Sequence, residues 1–176
     1  MNKLIIILII SLVSQINVFS QGYFSENEVT LTLNQGKKTL NWFSSKLSTS
    51  LDLERSEMNL HVDGITLISQ KDSLRKIILF NTACPSIHLF LNLPFNKLDK
   101  DISDRQVFLL TGSLSGCGNN YPVNVNVGFQ FQDKLLMFDF RLKMEISTIG
   151  LTGLKGIDPV VLLHTDKGRI LLRTKE

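Results

Sequence analysis

The chain has 176 residues, 43% of them hydrophobic and 20% charged, with a formal net charge of +3. That balance excludes a disordered tail, a collagen-like repeat and a coiled coil, and the charge is too mild for a nucleic-acid binder. Two cysteines are too few to staple a miniprotein, and eleven Phe stand against one Trp and two Tyr.

In chain order, the first twenty residues read as a leader. Lys3 gives a positive start, residues 4–13 are apolar apart from Ser11, and Val18-Phe19-Ser20 offers the small or aliphatic side chains that signal peptidase accepts. The apolar stretch is too short to span a bilayer. The expectation is a signal peptide over 1–20 and a single mature domain over 21–176, periplasmic or secreted. An uncleaved N-terminal anchor is the alternative.

Beyond the leader, side chains alternate with period 2, the pattern of strands with one buried face. Strands are expected over 28–33, 38–47, 57–67, 76–80 and 86–91. The connection 92–105 holds Asp99, Lys100, Asp101 and Asp104 and has room for a short helix. The strongest signal follows as a three-stranded meander over 106–146. Its inward faces carry Phe108, Gly112, Val123, Met144 and Ile146 together with ten candidate lining residues, Leu110, Leu114, Val125, Val127, Phe129, Phe131, Leu136, Phe138, Phe140 and Leu142, while Asn124, Asn126, Gln130, Asp139, Arg141 and Lys143 face outward. The last pair, 159–164 and 168–174, is expected as a hairpin turning at Asp166-Lys167-Gly168. The sum is an all-β fold, an antiparallel up-and-down barrel of about eight strands with little helix.

Chemistry-bearing residues are sparse. His61 and Asp63 share a strand face, an arrangement that orients an imidazole for base chemistry but more often marks a solvated surface. His88 and His164 also lie in strand-like runs. No G-x-S-x-G elbow, phosphate loop or metal-ligand spacing occurs, so neither an enzyme, a cofactor nor a metal site is expected. The run Gly150 to Gly156 reads as a strand-end loop. Lys37, Lys38, Arg75 and Lys76 would meet the phosphate head group of a ligand if they ring the barrel mouth, but more often read as scattered surface charge. Cys84 and Cys117 either pair, closing a loop that would contribute about 3–4 kcal/mol, or stand as separate thiols.

One segment points to a family. In T-G-S-L-S-G-C-G-N-N-Y-P-V-N-V-N-V, residues 111–127, the order Gly112, Leu114, Ser115, Gly118, Pro122, Val123 resembles the strand-turn-strand signature of the YceI-like family. Cys117 stands where the family has His, and Ser115 where it has Thr. The family's acidic-His pair and Phe-rich helical stretch have no counterpart here. The resemblance implies a lipocalin-like barrel holding a polyisoprenoid or similar apolar lipid, with the ten inward residues lining its tunnel. A barrel filled by its own side chains, acting as an envelope structural or interaction domain, is the rival reading.

Overall fold

The computed structural model of the protein describes residues 22–69, 85–94, 98, 103–149 and 157–172. The described residues form nine antiparallel strands: β1 (Gly22–Gln35), β2 (Lys38–Asp52), β3 (Glu57–Asp63), β4 (Ile68–Ser69), β5 (Ser86–Asn92), β6 (Gln106–Gly116), β7 (Asn119–Gln132), β8 (Leu135–Glu145) and β9 (Ile157–Leu171). The hydrogen-bonded order is β1-β9-β8-β7-β6-β5-β3-β2, and β2 returns to pair with β1. The result is a closed, all-β, lipocalin-like barrel of eight strands. The two-residue β4 adds to β2 at Trp42 and Phe43, above the point where β3 stops pairing. Closure leaves the long strands without open edges. Among the described residues the only helical pieces are short 3-10 turns, Gly64–Thr66 and Ile146–Ile149.

The meander forms as its alternation demands. β6 pairs with β7, and β7 with β8, without a register shift. Residues Phe129 and Phe138 meet as a cross-strand pair, and Phe108 adds a tilted ring 6.3 Å from Phe129. Gly118 takes a left-handed φ of 79° in the β6–β7 turn, the conformation glycine adopts without strain. Gly112 is required for another reason: a Cβ there would overlap the Phe90 carbonyl oxygen of β5. Backbone approaches backbone too closely for any side chain.

Two expectations change. The expected turn at Asp166-Lys167-Gly168 is not a turn, because β9 runs straight through it. Phe138 pairs with Gly168 and Phe140 with Thr165, so two residues of β9 oppose the single Asp139 of β8. Asp166 and Lys167 are the bulged, outward-facing residues, which is why they are polar. Gly168 then lies directly beneath the Phe138 ring, where a Cβ would collide. The expected strand 57–67 stops at Asp63, and Thr66 ends the turn that follows by donating its hydroxyl to the Asp63 carbonyl at 2.7 Å. The expected strand 76–80 and the run 150–156 lie outside the described residues. So does half of 92–105, namely 95–97 and 99–102; in the described part the Leu98 amide donates to the Pro94 carbonyl at 3.2 Å.

Candidate functional site

The inward face of the barrel comes from every strand. All ten residues expected to line it are buried: Leu110, Leu114, Val125, Val127, Phe129, Phe131, Leu136, Phe138, Phe140 and Leu142. Val29, Leu31 and Leu33 of β1, Leu47 and Leu51 of β2, and Leu89 and Leu91 of β5 complete the wall in one continuous apolar cluster. No ionisable side chain is buried among the described residues. Such a surface offers a guest nothing but apolar contact over most of its area. Each methylene it takes from water is worth about 0.8 kcal/mol.

Polar groups enter this interior at β1, β2 and β9. The Asn27 amide donates to Ser25 Oγ at 2.8 Å and Thr49 Oγ1 at 3.0 Å, and its carbonyl oxygen accepts the Arg169 amide at 2.7 Å. Thr165 donates to the Glu28 carbonyl. Ser44 Oγ lies 2.7 Å from Thr66 Oγ1 and accepts the Lys46 amide at 3.0 Å. Each of these buried groups is satisfied, as a low-dielectric interior demands.

Trp42 is the exception. It stands on the inward face of β2 opposite Leu31, 2% exposed, and its indole N–H has no hydrogen-bond partner. Leaving such a donor unmatched costs about 1–3 kcal/mol, and a buried Trp N–H usually has a partner. Sequence reading missed it, since only the shared face with Ser44 and the seam at β4 distinguish this aromatic from an ordinary core residue.

The outer face carries a second, distinct cluster. Register places His61 of β3 opposite His88 of β5, with ring centroids 4.0 Å apart. His61 Nε2 bonds Asp63 Oδ1 at 2.8 Å, and His88 Nε2 lies 3.0 Å from Ser86 Oγ. Burial, and then the neighbouring His61, hold the His88 imidazole below its ordinary 6.5, while Asp63 pulls the other way. The orienting carboxylate therefore bonds one imidazole and the hydroxyl faces the other. Nucleophile, base and orienting carboxylate do not form one relay. A cleft of about 400 Å³ adjoins the pair, lined by Pro85, Ser86, His88, Ser115, Cys117 and Asn120 among others. No group of His, Cys, Asp or Glu suited to a metal ion occurs among the described residues.

The remaining candidates sit apart. His164 is on the outer face of β9, its Nδ1 without a hydrogen bond and 3.5 Å from Asp166, which Arg141 also approaches at 3.5 Å. Cys117 is disulfide-bonded, and the chain's one other cysteine, Cys84, lies outside the described residues. Lys37 and Lys38 are exposed at the β1–β2 turn. Arg75 and Lys76 lie outside the described residues.

No family model and no curated protein matches the chain. Solved structures do. A polyisoprenoid-binding domain from Saccharophagus degradans, implicated in plant cell wall breakdown, superposes with a TM-score of 0.72 at 11% identity. The match covers 86% of this chain and 98% of that one. BcnA of Burkholderia cenocepacia matches with a TM-score of 0.56 at 12% identity, over 84% and 96% of the two chains. The shared property is the fold, and it agrees with the resemblance carried by residues 111–127.

Proposed function

We propose that the protein is an exported, non-catalytic barrel that holds a long apolar molecule, a polyisoprenoid or similar lipid, in its interior. The observation that carries this reading is the inward face, apolar but for a few internally bonded polar side chains on β1, β2 and β9, and without a buried charge among the described residues. A wall of that kind discriminates against ionic ligands and rewards each added methylene. The fold it shares with a polyisoprenoid-binding domain supports the ligand class. Export rests on the leader over residues 1–20. The outer His pair lacks the relay that a hydrolase needs.

Native mass spectrometry of the purified protein, before and after extraction with organic solvent, tests the proposal. A stoichiometric adduct of an apolar chain, lost on extraction, is the expected result. Repeated gentle purifications that yield only the bare chain mass would overturn it. The filled-core reading draws on strand number, because eight strands is a width that side chains alone can fill.

A further inference from the structure

Resting on that reading, we infer that Trp42 is a hydrogen-bonding anchor inside the barrel. The ligand it selects is an apolar chain bearing an uncharged oxygen acceptor (a carbonyl, ester or ether oxygen) rather than a pure hydrocarbon. Asn27, Ser44, Thr49 and Thr165 all have partners within the protein, whereas the Trp42 N–H has none.

A water molecule is a poor substitute at this position. Buried waters need two to four polar partners. Trp42 faces Leu31 across the strand pair, and Leu33 and Leu67 are buried in the same cluster. The hydroxyl of Ser44, two residues along the same face, and that of Thr66 are already committed, Ser44 to Thr66 and Thr66 to the Asp63 carbonyl. A ligand oxygen needs only the one donor that is present.

Charge narrows the class further. Among the described residues no buried cation is present to neutralise a phosphate head at this depth, which favours a neutral acceptor. Position supports the assignment too. Trp42 lies where β2 exchanges β3 for the two-residue β4, a seam at which the barrel wall changes partner. A head group lodged there leaves the rest of the chain against the unbroken apolar wall of β5 to β8.

The test uses phytone, a branched isoprenoid ketone, and pristane, its near-isosteric hydrocarbon, added to extracted protein. Trp42 is the chain's only tryptophan, so its emission reports binding without a label. Phytone is expected to bind about tenfold tighter than pristane, the worth of one buried hydrogen bond. Trp42→Phe, followed by native mass spectrometry because the variant has no tryptophan to report, should bring phytone down to the affinity of pristane and leave pristane within about twofold of its original value. The indole N–H resonance of the unmodified protein should move downfield with phytone and stay put with pristane, a readout that does not depend on the variant folding. Equal affinity for the two probes with an unmoved resonance would overturn the anchor while leaving the carrier intact. Failure of both probes to bind would remove carrier and anchor together.

Discussion

The two halves of the barrel wall reach closure by different means. From β5 to β8 the strands pair without a register shift, and every buried side chain along β6 to β8 is apolar or glycine. From β8 through β9 and β1 to β2 there are three shifts, one at each strand pair. Asn27, Ser44, Thr49 and Thr165, four of the five buried polar side chains among the described residues, lie on that irregular half. The association has a cause. A bulge leaves backbone groups unpaired, and a buried polar side chain restores the missing partner. Asn27 serves the Arg169 amide, Thr165 the Glu28 carbonyl and Ser44 the Lys46 amide. The regular half can stay purely apolar because its ladder leaves nothing to satisfy.

The contrast is best broken by attacking each half in turn. The largest effect belongs to the regular half, at Phe138. If side chains alone fill the barrel, Phe138→Ala costs about 3–5 kcal/mol. In a lipid carrier the loss falls mainly on the guest: the extracted variant should unfold in denaturant with a much smaller deficit, while native mass spectra no longer retain the adduct. A full-sized loss in extracted protein would favour the filled core. Gly112→Ala comes next. Its Cβ meets backbone rather than a movable side chain, so β5 and β6 must separate, at about 3 kcal/mol. An unchanged denaturation midpoint would contradict so close an approach.

On the irregular half, Asn27→Ala strands the Arg169 amide and Thr49, and a destabilisation of about 1–3 kcal/mol is expected. Hydrogen exchange should quicken at Arg169 before it does anywhere in β7. The smallest effect lies outside the barrel, at His88. Unfolded, this imidazole takes its proton near 6.5; folded, it takes it at lower pH. Its contribution is therefore complete above 6.5 and is lost as pH falls through the folded value. His88→Asn should flatten the acid side of a stability-against-pH curve. A slope identical to that of the parent protein would assign the dependence elsewhere.

The same division decides what was readable in advance. Residues 106–146 were legible because strict alternation over long strands with short turns admits one arrangement. Asp166-Lys167-Gly168 misled because outward polar residues followed by glycine look the same in a turn and in a bulge. The local chemistry is shared, and only the pairing with Asp139 across the ladder separates them. His61 and Asp63 were recognisable as neighbours two apart on one face, and they do bond. The stacking of His88 on His61 was not readable, since it depends on the register of strands far apart in sequence.

The amino-acid order alone determined that this is a strand protein and which side chains face inward, because the two-residue period is a property of the extended backbone itself. The closing pair of β1 with β2, the bulge in β9 and the unpartnered indole of Trp42 were decided by the tertiary structure. They are facts of register and partnership, and a hydrogen bond exists only once the chain has brought both of its ends together.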